Sequence, residues 1–181
     1  MFNIIKWFRY KGWFIFDLPY FIQEKKLDTG IEIGAKAGRS MYFMLKENPN
    51  LHLSGIDFWK VIEGSAYRFN DKNEQRCRRK LKPFAGRYTL LKGDAFAIAN
   101  DIPDASCNFI HYDLHCKIMT NHHQEMLAKW IPKIKKGGLL IGRDFKEFRA
   151  AFYALGFAES DFKKCTMRGR TSLRLEYLEI K

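Results

Sequence analysis

With 181 residues the chain has room for one hydrophobic core, because domains of about 100 to 200 residues are the usual unit. Its composition, 46% hydrophobic and 29% charged, excludes disordered and fibrous classes. A formal charge of +12, from 32 Lys and Arg against 20 Asp and Glu, gives a surface that attracts phosphate, nucleic acid or anionic lipid without selecting among them.

Residues 1–28 read as an N-terminal aromatic and basic helical segment, set apart from a domain over 29–181. Phe2, Trp7, Phe8, Trp13, Phe14 and Phe16 alternate with Lys6, Arg9, Lys11 and Asp17, so neither a signal peptide nor a membrane span fits. Such aromatic density needs cover: packing on the domain, a lid or homodimer surface over a substrate site, or contact of residues 1–22 with an anionic membrane surface. Cysteines 77, 107, 116 and 165 show no CxxC spacing, so free thiols and a cytoplasmic location are expected.

Gly30 to Ile33 then predicts a strand entering a glycine turn, followed by a helix from about Arg39 to Glu47. Leu51 to Ile56 predicts a second strand. Ser65 to Lys82 predicts a long polar helix with Arg68, Lys72, Arg76 and Lys80 at near-helical spacing. Further strands are expected at Tyr88–Leu91, Cys107–Tyr112 and Leu139–Ile141, with a helix over Thr120–Lys135. Phe157–Cys165 and Thr171–Ile180 predict a terminal antiparallel hairpin. The alternation implies an α/β fold, a Rossmann-like doubly wound and mostly parallel sheet with helices on both faces.

Gly34 and Gly38 sit where the first strand turns into a helix, which lets the backbone approach a ligand closely. Counted from Gly34, the next glycines of a GxGxxG site would fall on Lys36 and Arg39, so a dinucleotide pyrophosphate is disfavoured. Asp57 ends the second strand, where a carboxylate accepts two hydrogen bonds from ribose hydroxyls. Asp94 follows the third strand at the same carboxyl edge. Three such features at one edge point to a nucleoside ligand.

In chain order, ExGxxxGxS at Glu32 to Ser40, Gly55-Ile56-Asp57, Gly93-Asp94-Ala95, Phe109 to Asp113, and Pro132 to Phe145 resemble the ordered motifs of class I S-adenosylmethionine-dependent methyltransferases. The small-molecule O-methyltransferase-like branch is the most similar. The resemblance implies that Glu32 and Gly34 border the methionine part, Asp57 holds the ribose, and Asp94 with Ala95 contacts the adenine. It also implies a seven-stranded sheet whose last strand is antiparallel, and S-adenosylhomocysteine as product.

Methyl transfer is an in-line displacement, so positioning and removal of the acceptor's proton are the protein's tasks. Asp113 and Asp144 match acidic positions of that family at two strand ends, and His115 is the nearest candidate base by its ordinary pKa. Relatives commonly carry Asp-Ala-Asp-His where this chain has Asp113-Leu114-His115-Cys116. Metal-dependent members place Asn or Asp where Phe145 stands, so no magnesium ligand set is expected. Cys107, His111, His115 and Cys116 are zinc-type ligands, but 107 and 111 are expected on one strand face with 115 and 116 beyond its end, and no CxxC clamp supports tetrahedral closure, so no metal ligand is expected. The expected acceptor is a small molecule or glycan. Alternatives are a nucleic-acid methyltransferase, suggested by the charge and by the run Arg76, Arg78, Arg79, Lys80 and Lys82, and a noncatalytic S-adenosylmethionine-binding protein of the same fold.

Overall fold

Short runs of branched and aromatic residues, punctuated by glycine and proline, form one seven-stranded sheet in the computed structural model, which describes residues 17–60, 71–114, 122–143, 145–167 and 170–181. The strands are β1 (Thr29–Ile33), β2 (His52–Asp57), β3 (Tyr88–Lys92), β4 (Cys107–Tyr112), β5 (Ile134–Arg143), β6 (Lys163–Met167) and β7 (Arg170–Glu179). Among the described residues the α-helices are α1 (Leu18–Glu24), α2 (Arg39–Glu47), α3 (Asp71–Leu81), α4 (Ala95–Ile98), α5 (His123–Trp130) and α6 (Arg149–Ala154).

The strand order is β3-β2-β1-β4-β5-β7-β6. The five strands from β3 to β5 run parallel, whereas β7 is antiparallel to both β5 and β6. The expected doubly wound sheet and terminal hairpin are both present. Strand order reverses between β1 and β4, so β1 and β4 diverge from one crevice at the carboxyl edge, the place where open α/β sheets hold ligands.

Alternation along the strands divides the core in two. On one face Leu53, Phe109, Leu139 and Ile141 pack under Leu18, Phe21 and Ile22 of α1, Met41, Met44 and Leu45 of α2, and Cys77 and Leu81 of α3. On the other, Ile31, Ile33, Ile110 and Leu140 pack under Met126, Leu127 and Trp130 of α5 and Phe152 of α6. Among the described residues no helix is long and apolar enough to cross a membrane.

Several boundaries differ from the sequence expectation. The helix expected over Thr120–Lys135 covers His123–Trp130, because Pro132 converts its end to a 3-10 turn at Ile131–Lys133. β5 consequently starts at Ile134 rather than Leu139, and Gly137 bends within it at φ 77°. The run expected from Phe157 begins as a strand only at Lys163, since residues Glu159–Asp161 form a 3-10 turn in which Asp161 Oδ2 accepts from the Ala158 amide at 2.8 Å. α6 was not expected. The first part of the helix predicted from Ser65 lies outside the described residues, which resume with Asp71–Leu81.

Phe152 anchors the second face, fully buried against the rings of Phe145, Phe162 and Phe157 at centroid distances of 4.9, 5.2 and 6.0 Å. Phe152→Ala is expected to lower unfolding free energy by about 3–5 kcal/mol, measured by urea denaturation.

Candidate active site

The turn after β1 is tied to the end of β2. The amides of Gly34 and Ala35 both donate to the Ile56 carbonyl, at 2.9 and 3.0 Å. Gly34 has φ 97°, and a Cβ there would lie 2.7 Å from the Asp113 carbonyl oxygen, so only glycine lets the exit of β4 come this close. Gly38 precedes α2 at φ 66°, where a Cβ would meet Cys77 Sγ of α3 at 2.6 Å. Both glycines are required by backbone conformation and by close approach at one corner of the crevice.

Asp57 organises this corner. Its Oδ2 accepts from the Lys36 amide and its Oδ1 from the Trp59 amide, each at 2.8 Å, while its own carbonyl accepts from the Gly93 amide at 3.0 Å. Trp59 Nε1 donates back to the Lys36 carbonyl at 2.6 Å. Lys36 and Trp59 have φ 47° and 42°, a left-handed conformation that costs a non-glycine residue energy and persists where surrounding bonds fix it. The turns after β1, β2 and β3 thus converge on one residue. Each Asp57 oxygen keeps a further acceptor position for a ligand hydroxyl. Burial pushes its carboxyl above the usual aspartate range, with the Trp59 and Lys36 amides pulling the other way. Next to it Phe58 is 40% exposed, an aromatic surface at the crevice rim, with Lys60 Nζ 5.3 Å from its ring centre.

A polar row crosses the carboxyl ends of β1, β4 and β5. Glu32 pairs in register with His111, and both are fully buried. Glu32 Oε1 accepts from Ser40 Oγ in the first turn of α2 and lies 3.0 Å from His111 Nδ1. Glu32 Oε2 is buried with no hydrogen-bond partner among the described residues. Burial raises the Glu32 carboxyl above its ordinary range, opposed by His111 and Ser40. Burial alone would lower His111, but its bond to Glu32 and the charges of Glu32 and Asp113 outweigh this and raise it. Beyond His111, Arg143 Nε donates to Asp113 Oδ1 at 2.6 Å.

Of the residues expected from sequence, Glu32, Gly34, Gly38, Asp57 and Asp113 come together here. Asp94 stands at the end of the neighbouring β3 turn, where its Oδ1 caps α4 by accepting from the Phe96 amide at 2.9 Å, and Ala95 begins that helix. His115 and Asp144 lie outside the described residues, as does Cys116. The expectation that Cys107 shares a face with His111 is corrected. Cys107 belongs to the opposite core cluster, where its thiol donates to the Lys133 carbonyl at 3.3 Å, and the β4–β5 register shifts between Cys107 and Phe109. Glu32, His111 and Asp113 offer donor atoms within 4.8 Å of one another, but Ser40 and Arg143 already bond to two of them. Ser40, Phe58, Trp59, His111 and Arg143 were not singled out for this crevice. For His111 a signal existed: it is polar in the apolar part of its strand and shares strand parity with Asp113.

The crevice suits a zwitterionic nucleoside. It offers an unspent buried carboxylate oxygen for a cation, a carboxylate for a diol, and an exposed ring for a base. At the opposite, amino edge of the sheet lies a separate cleft of about 240 Å³, lined by Thr29, Ile31, His52, Ser54, Thr89 and Ser106 among others.

Residues 31–145 match the family model described as a methyltransferase domain. No curated protein matches the sequence. Solved structures similar to this chain include the O-methyltransferase from Bacillus cereus in complex with S-adenosylhomocysteine, 12% identical with a TM-score of 0.64 over 90% of this chain and 78% of that one. Another is the O-methyltransferase TomG from Streptomyces achromogenes, involved in tomaymycin synthesis and solved with S-adenosylmethionine, 12% identical with a TM-score of 0.65 over 91% and 79%. The chain belongs to the methyltransferase domain family, and its fold is that of the class I S-adenosylmethionine-dependent enzymes.

Proposed function

We propose that this methyltransferase acts on a hydroxyl of a small-molecule or glycan-like acceptor, using S-adenosylmethionine. The observation that carries the reading is the Asp57 carboxylate, fixed by the amides of Lys36 and Trp59 at the carboxyl edge beside the Gly34 turn. The O-methyltransferase neighbours solved with S-adenosylmethionine or its product support the choice of chemistry.

When bound, the cofactor supplies an electrophilic sulfonium methyl. The chain's own residues then have positional tasks. Glu32 and the Gly34 turn hold the aminoacyl end, Asp57 the ribose hydroxyls, and Asp94, Ala95 and Phe58 the adenine. Asp113 and Arg143, locked together on the β4 and β5 side, form the wall facing the acceptor. A hydroxyl gives up a proton as it is methylated, and the resemblance leaves Asp113, His115 and Asp144 as the groups to receive it.

A second reading, a nucleic-acid acceptor, has one observation in its favour. Lys72, Arg76 and Lys80 follow one another at i, i+4 spacing along α3, and Lys80 feels the like charges of Arg39 and Arg76. Like charges so placed are mildly destabilising. A phosphate backbone would relieve them, and RNA affinity falling steeply with salt would favour this acceptor over a sugar.

Calorimetry tests the cofactor site. Wild-type protein is expected to bind S-adenosylhomocysteine, and Asp57→Ala, confirmed folded by its Tm, to bind about 100-fold more weakly, as loss of two hydrogen bonds to a charged group implies. Unchanged affinity in the variant contradicts the reading. Because burial raises the Asp57 carboxyl, wild-type affinity is expected to fall on acidification while the pH is still above 3.8, the ordinary value for aspartate. Transfer of labelled methyl from S-adenosylmethionine to sugar and phenolic hydroxyls distinguishes an active enzyme from a noncatalytic binder.

A further inference from the structure

Glu32 and His111 are ionisable, adjacent and fully buried, in strands whose other inward residues are apolar. Taking such a pair out of water costs desolvation that its mutual attraction commonly fails to return, so replacement by apolar side chains is commonly neutral or stabilising. Stability therefore gives no reason for a histidine between Phe109 and Asp113. The crevice gives one.

We propose that His111 is a positioning residue for the aminoacyl end of the cofactor: held through Nδ1 to Glu32 Oε1, it keeps that carboxylate, together with Ser40, as an anion beside the Gly34 turn, with Oε2 left to receive the cofactor's ammonium group. The proposal rests on the cofactor reading above. Its geometry is the 3.0 Å contact between Nδ1 and Oε1, the Ser40 hydroxyl on the same oxygen, and the buried, unspent Oε2. An ammonium ion is attracted only by the charged carboxylate, and burial works against that form. His111 and Ser40 are the donors that oppose it.

The charged and titratable groups around His111 are Glu32 from β1, Asp113 from the end of its own strand and Arg143 from β5, with Cys77 of α3 acting on Glu32 from the far side. Arg143 is engaged by Asp113, which leaves His111 as the partner that answers Glu32 directly. Without the imidazole, Glu32 keeps only the Ser40 hydroxyl against the burial that favours its protonated form.

Calorimetric titration with S-adenosylhomocysteine at about pH 5.5 and about pH 7.5, where the ligand keeps its ammonium charge, tests this on folded protein. Wild type is expected to bind equally at both. His111→Phe is expected to bind about tenfold more weakly at the lower pH, the scale of one hydrogen bond to a charged group, and to recover toward wild type at the higher. His111→Asn keeps an N–H donor near the place of Nδ1 and is expected to restore wild-type affinity at both. A His111→Phe protein that binds as wild type does at both pH values overturns the proposal. So does a loss in the Phe and Asn variants that is equal at both, since that reports packing alone. If His111→Phe does not fold, the Asn variant decides, with wild-type affinity upholding the proposal and loss at both pH values overturning it. Absence of binding by wild type instead overturns the cofactor reading itself, and the proposal with it.

Discussion

The amides of Lys36 and Trp59 end on the carboxylate of Asp57, and the Gly93 amide ends on its carbonyl, so that one residue holds three turns of the carboxyl edge. Parallel strands deliver their exits to one side of the sheet, but nothing in strand pairing fixes the loops beyond them. Asp57 supplies that fixation. Lys36 and Trp59 pay for it with left-handed backbone, and each is bonded to the other through the Trp59 indole. A crevice wall built in this way is already shaped before a ligand arrives, which lowers the ordering cost of binding.

Close approach is the second constraint. Gly34 lets the β1 turn touch the exit of β4, and Gly38 lets α3 lie against the start of α2. The polar row of Glu32, His111, Asp113 and Arg143 then runs along the ends of β1, β4 and β5 on the face that α2 covers, with Ser40 reaching back to Glu32. Its inner half is dry and its outer half, the Asp113–Arg143 pair, is partly open to water. On the function proposed above, the inner half serves the cofactor and the outer half faces the acceptor.

Much of this was legible in the sequence because it is local. The 2-residue period of β1, β2 and β4, the glycines at 34 and 38, and the acid at 57 each declare themselves within one element, and motif order did the rest. Pairing across the sheet does not declare itself. Glu32 and His111 are 79 residues apart, and only the β1–β4 register shows that they touch. The shift in β4–β5 register between Cys107 and Phe109 leaves no mark in an alternating pattern either. The expected helix ran through Pro132 to Lys135 although the proline ends α5, and the glycines at 137 and 138 drew the start of β5 too far along the chain, where they instead sit within it. Asp57 shows both sides: its place at the end of β2 was readable, but its bonds to Lys36 and Trp59 were not.

The account stands on where the nucleoside lies. A crystal structure of the protein with S-adenosylhomocysteine is predicted to show both ribose hydroxyls within hydrogen-bond distance of the Asp57 carboxylate, with the Lys36 and Trp59 amides still bonded to it. A nucleoside seated in the amino-edge cleft by Thr29 and His52, or one at the carboxyl edge making no contact with Asp57, would contradict it.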